Sequence, residues 1–121
     1  MNRCVLLVGA VLGLVSVVLG AVVDHSVELN VSDADSIETA LRYNMIYSVL
    51  IVALSLAPVE TKLYQAAYVF IVGAVFFSFS IYASVLLTVP YIIYLTPFGG
   101  VTLMMAWVFL IIRAFQIKRE P

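Results

Sequence analysis

The sequence predicts an all-α membrane protein, with four transmembrane helices in an up-down bundle that forms one domain over residues 1–121. Three observations lead there. First, 64% of the residues are hydrophobic and 11% charged, with a mean hydropathy of +1.16. A soluble domain carries about 25% charged residues, so a water-facing surface cannot be built from this composition. Second, the apolar residues fall into four runs, each near the roughly 20 residues that cross a hydrocarbon core. Third, the runs are continuous, whereas strands of a membrane barrel alternate in segments of about 10 residues.

The first span is expected over residues 4–23, since Cys4 to Val23 holds no charge. Arg3 and the small residues of Leu19-Gly20-Ala21 give it some features of a signal peptide. The run is longer than the roughly 7–15 apolar residues of such a peptide, so a retained span is expected. The second span is expected over 36–57. Its purely apolar part begins only at Tyr43, so the helix has to start near Ser36 and carry Arg42 at the interface. Asp35-Ser36-Ile37-Glu38 reads as a capping-box variant at that start. Between these spans lies an acidic loop, 24–35, carrying Asp24, Glu28, Asp33 and Asp35, with Glu38 just beyond. Val27, Leu29 and Val31 alternate with polar residues there, as in a short extended stretch or an interfacial turn. Asn30-Val31-Ser32 fits a glycosylation sequon, which has no meaning in a bacterium.

The third span is expected over 63–88, long enough to cross with tilt. The fourth is expected over 97–117. Pro90 and Pro97 interrupt its approach, because proline breaks the hydrogen-bond ladder inside a helix. The regular helix therefore begins near Pro97, with proline in its first turn. Tyr91 to Leu95 is left as a turn or an irregular apolar segment at the interface.

With four spans, both termini share one side with the loop between spans two and three. Arg3, Lys62, Arg113, Lys118 and Arg119 fall on that side, and only Arg42 on the other. The positive-inside rule then places both termini in the cytoplasm, in a bacterial inner membrane, with the acidic loop facing outward and Arg113 snorkelling to the cytoplasmic surface. A net charge of −1 gives no nucleic-acid footprint. Cys4 is the only cysteine, which excludes an internal disulfide and a cysteine metal cluster. No phosphate loop, GxSxG, HExxH or CxxC is present. No nucleophile–base pair stands out either, so neither enzymatic activity nor a cofactor or metal is expected.

The small residues are more informative. Between helices in lipid there is little hydrophobic drive, and small residues mark close approach. At 100° per residue, Gly9, Gly13, Ser16 and Gly20 form one stripe on span one, with Asp24 at its outer edge. Gly73, Ser80, Ser84 and Thr88 share a face of span three. Gly99, Thr102 and Ala106 share one on span four, next to Gly100. Asn44, Ser48 and Ser55 align on span two. Helix packing is thus the expected role of Gly9, Gly13, Ser16, Gly20, Gly73, Ser80, Ser84, Gly99 and Gly100. A candidate functional polar cluster comprises Asp24, His25, Arg42, Asn44, Tyr47 and Thr96, towards the outer membrane edge, joined by Ser78, Tyr82 and Pro97 on the motif patterns given below. Within it, Glu38 and Arg42 are i, i+4 and suit a local ion pair. Asp24 and His25 are chain neighbours that point apart on a helix, which reads as a helix exit and not an acid–base dyad. Phe76, Phe77, Phe79, Tyr82, Tyr91, Tyr94 and Trp107 read as packing, lipid-facing or interfacial aromatics.

The stretches LGAVVDH, ALRYNMIYSVL, GAVFFSFSIYASVL and LTPFGGVTLMMAW, in this order, resemble the DUF423 family of small four-span membrane proteins, over about Leu19 to Trp107. The Leu-Gly-Ala…His pattern falls on Leu19, Gly20, Ala21 and His25. Phe-Ser-x-Ser-x-Tyr falls on Phe77, Ser78, Ser80 and Tyr82, and Thr-Pro-x-Gly-Gly on Thr96, Pro97, Gly99 and Gly100. The sequence departs from the family at Val23-Asp24, usually Gly-Ala, and at Phe79 and Ala106, usually glycines. A Tyr-Gln-x-x-His pattern appears here as Tyr43-Asn44-Met45-Ile46-Tyr47, and losing that second histidine argues against a two-histidine metal site. The resemblance implies a four-span membrane fold and no established biochemical activity. The expected function is structural or accessory, packing with the lipid bilayer, with itself as a homo-oligomer, or with a larger membrane complex. The alternative is an oligomeric transporter or channel for a small solute or ion. Intramembrane ionisable residues usually mark such pathways, and these spans hold almost none.

Overall fold

The computed structural model describes residues 2–26, 29–88 and 91–117. The readings above on Val27, Glu28, Pro90, Lys118 and Arg119 lie outside them. The described chain is helical without strands. The segments Arg3–His25, Val31–Ser55, Leu63–Leu86 and Ile92–Gln116 are each long and apolar enough to cross a membrane.

Helix α1, Arg3–Ser26, is opened by Asn2, whose Oδ1 accepts from the Val5 amide at 3.1 Å. The Asn2 amide donates to the Ser55 carbonyl at 2.8 Å, which pins the start of α1 to the end of α2. Helix α2 is Val31–Ser55, so it begins before Ser36, and most of the expected acidic loop 24–35 is helical. Its cap is Asn30, not the Asp35–Glu38 box. The Asn30 Oδ1 accepts from the Asp33 amide at 2.7 Å and its Nδ2 donates back to the Asp33 carboxylate at 3.3 Å. Asn30-x-x-Asp33 satisfies the capping template as well as the later box does, and the earlier cap lets the helix extend into water. There Asp33 and Asp35 need no desolvation, and Asp33 sits at the positive end of the helix dipole.

A 3₁₀ turn, Val59–Thr61, leads through Lys62, a left-handed residue at φ 58°, into α3, Leu63–Ala74. Val75–Phe79 then form a π-helical turn, and the chain continues as α4, Ser80–Leu86. The three pieces make one membrane span. A π-turn inserts one residue into the α-helical phase, so the sequence stripe from Gly73 to Ser84 does not run straight. The span ends at Leu86, short of Thr88. Thr88 is exposed, with φ 52°, and does not share the glycine face. A 3₁₀ turn at Ile92–Leu95 feeds directly into α5, Thr96–Gln116, with Pro97 in its first turn.

Helix α1 packs on α2, α2 on α3, and α3 with the π-turn on α5; α1 and α5 are not packed side by side. Val5, Leu12, Ile51, Phe70, Leu103 and Ala106 belong to one buried cluster drawn from all four spans. A second, smaller cluster of Ile37, Ala40, Ile81 and Tyr82 lies nearer the acidic end. The opposite faces of α1 and α5 are exposed and apolar, with Leu14 at 63% and Met104 at 69% exposure. Such faces suit lipid, which is as apolar as leucine.

Candidate functional site

A belt of polar contacts crosses the acid-side half of the bundle and touches every span. From α1, the buried Ser16 hydroxyl donates to the Leu41 carbonyl at 3.1 Å. From the π-turn, the buried Ser78 hydroxyl donates to the Ala40 carbonyl at 3.1 Å. Two consecutive carbonyls of α2 are therefore gripped from two neighbouring spans. One turn along α2, Asn44, 1% exposed, donates from Nδ2 to the Tyr82 hydroxyl of α4 at 3.0 Å. Ser48 donates back to the Asn44 carbonyl, which spends its own hydrogen within α2. The belt reaches α5 through Ser80, which donates to the Phe77 carbonyl at 3.0 Å and shares a short contact with the Thr96 hydroxyl. A serine has one hydroxyl hydrogen, so Thr96 is the donor between those two.

The seam beside this belt depends on glycine. A Cβ on Gly99 would lie 2.7 Å from the Phe77 Cα and 2.9 Å from the Phe76 carbonyl carbon. Both are backbone atoms of the π-turn, so no side chain fits at position 99 unless the turn moves. A Cβ on Gly73 would meet the Leu103 side chain at 2.9 Å and its amide nitrogen at 3.0 Å. Ser84 is half-buried. On the α1–α2 seam only Gly9 is tight, at 2.9 Å from Val52 Cγ2. Gly13 and Gly20 would make ordinary contacts at 3.7 and 3.9 Å, and so would Gly100.

The remaining members of the expected cluster separate. Tyr47 turns to α5, where its hydroxyl accepts from Trp107 Nε1 at 3.0 Å. Its ring stacks on Phe70, with centroids 5.6 Å apart. Arg42 pairs with Glu38 at 3.0 Å on the exposed face of α2, and Asp24 and His25 are exposed on the last turns of α1. Pro97 is also exposed. At the opposite end Arg113 holds α5 to α3, donating to Gln65 and, at 2.8 Å, to Gln116. The guanidinium lies 5.0 Å from the Phe109 ring centroid. Sequence reasoning missed the Tyr47–Trp107 bond and the π-turn. The first links residues 60 positions apart; the second has no marker in Val75-Phe76-Phe77-Ser78-Phe79 beyond the nearby serines.

The family model described as a protein of unknown function, DUF423, matches residues 19–100. The chain belongs to the DUF423 family. It is similar to the UPF0382 inner membrane protein YgdD of Escherichia coli strain K12, at 27% identity over 98% of this chain and 95% of that protein. The UPF0382 membrane protein C1782.12c of Schizosaccharomyces pombe is 34% identical over 83% of this chain and 92% of its own. The UPF0382 membrane protein SAB0533 of Staphylococcus aureus is 29% identical over 92% and 94%. No solved structure matches. This DUF423 protein is thus a multi-pass membrane protein of unknown biochemical activity, and no match favours a transporter. The geometry adds a relation between two of the motif stretches. Phe77-Ser78-Phe79-Ser80 and Thr96-Pro97-Phe98-Gly99 lie against each other, joined by Ser80 to Thr96 and by Gly99 on the Phe77 backbone.

Proposed function

We propose that the protein is a non-catalytic accessory component of the membrane, a small bundle that packs with lipid and with other membrane proteins. The polar belt supports this reading. Ser16, Ser78, Asn44 and Ser80 direct their hydrogen bonds at neighbouring spans or their own backbone, which fastens helices and leaves little to coordinate a solute. The exposed apolar faces of α1 and α5 supply the contact surface. Native mass spectrometry of the gently extracted protein tests it. A defined co-purifying membrane protein is the expected result. A partner-free symmetric oligomer that conducts an ion or small solute after reconstitution would overturn it.

We infer further that both termini face the cytoplasm of a bacterial inner membrane. Arg3, Lys62 and Arg113 collect at one end, while at the other the basic Arg42 is paired with Glu38. In a Cys4→Ser background, Lys62→Cys should react with an impermeant maleimide only after cells are permeabilised, and Ser32→Cys in intact cells. The reverse labelling would contradict the orientation.

A further inference from the structure

The seam between the first and last spans stays open in the acid-side half. A groove of about 510 Å³ runs there, with Leu19 of α1 on one wall, Ile92 and Leu95 on the other, and Phe79, Ala83 and Leu86 along the third span between them. The groove follows from two features already described. Helices α1 and α5 are not side by side, and the π-turn, whose Phe76 and Phe79 line the groove, puts α4 out of phase with α3. None of its lining residues is charged. Its polar atoms are engaged: Ser80 with Phe77 and Thr96, and the Tyr82 hydroxyl with Asn44. Water gains nothing in such a space, because a buried water needs two to four polar partners.

We propose that this groove holds one acyl chain of a membrane phospholipid for much longer than the surrounding lipid. A protein helix fits the groove poorly. A helix with its side chains is about 10–12 Å across and packs where small residues let backbones approach. Here Leu19, Leu86, Ile92 and Leu95 are among the walls, and Ser80 and Ala83 are the small residues. Eleven described residues line the groove, against roughly 20–30 a side in a stable protein interface. A polymethylene chain is narrow, flexible and needs no hydrogen bond, and it matches such walls. With no charge on the walls, the site reads the chain and not the headgroup. This deepens the lipid-packing part of the proposed function and rests on it for the membrane setting.

The test uses the full chain reconstituted in phosphatidylcholine bilayers. A phosphatidylcholine with a diazirine in its acyl chain should label Ala83, Leu86 and Ile92 several-fold more than the lipid-facing Leu14 and Met104. Native mass spectra should show one retained phosphatidylcholine, lost several-fold in Ala83→Trp and unchanged in Val108→Trp. If Ala83→Trp does not fold, Leu87→Trp blocks the same groove from its exposed rim. Even labelling of all apolar faces, or retention that survives both groove variants, would overturn the site. So would a homodimer that these variants dissociate, since the groove would then belong to a second copy. A protein partner that still co-purifies with the groove variants would leave the accessory reading standing while the acyl-chain site failed.

Discussion

The α1–α2 seam and the α3–α5 seam have similar small-residue stripes but use them differently. On α1, Gly9 meets side-chain atoms of Ile51 and Val52 together with one amide, whereas Gly13 and Gly20 are at ordinary van der Waals range. Between α3 and α5 the approach is tight at both ends. Gly73 meets the Leu103 side chain and its amide, and Gly99 the backbone of the π-turn. A flexible side chain can move aside by a few tenths of an ångström, whereas a helix backbone cannot without moving its hydrogen bonds. A glycine stripe therefore shows that two helices can approach, and the neighbouring atoms decide which glycines are required.

The largest effect should come from Gly99→Ala, followed by Gly73→Ala. Overpacking costs about 1–3 kcal/mol, and Gly99 falls at or above the top of that range because backbone must move. Unfolding by denaturing detergent in bicelles would measure both, and a wild-type midpoint for Gly99→Ala would break the contrast between the seams. A smaller loss is expected for Tyr82→Phe, which removes the hydroxyl paired with Asn44. Hydrogen bonds between membrane helices average about 0.6 kcal/mol and reach about 1.7. A loss well beyond that would give the pair a role other than fastening. The smallest effects should come from His25→Ala and Gly20→Ala, both within about 0.5 kcal/mol of wild type. A large loss of the protein's membrane assembly in His25→Ala would restore the helix exit as a functional site.

Hydropathy made the four spans legible, since length and apolarity alone decide whether a helix can cross. Pro97 marked the start of α5 because its ring suits only the first turn of a helix. The start of α2 was harder to place. Asn30 and Asp35 both begin acceptable capping boxes, and the choice depends on how far the helix extends into water, which local pattern does not encode. The candidate cluster was legible only in part. Asn44, Ser78, Tyr82 and Thr96 join one belt, but Tyr47 bonds to Trp107 on another face, and Arg42, Asp24 and His25 remain exposed. Those separations depend on helix rotation. The π-turn shifts that rotation within span three, and a uniform 100° count cannot register it. The groove depends on the same shift and on which spans fail to touch, so it too is visible only in three dimensions.

The most direct test is the unfolding midpoint of Gly99→Ala set beside that of Gly13→Ala, in the same bicelles and by the same denaturing detergent. Backbone contact at Gly99 predicts a clear destabilisation there and a near wild-type midpoint for Gly13→Ala. Equal midpoints, or the greater loss at Gly13, would contradict the account that the atoms facing each glycine decide which of them the fold requires.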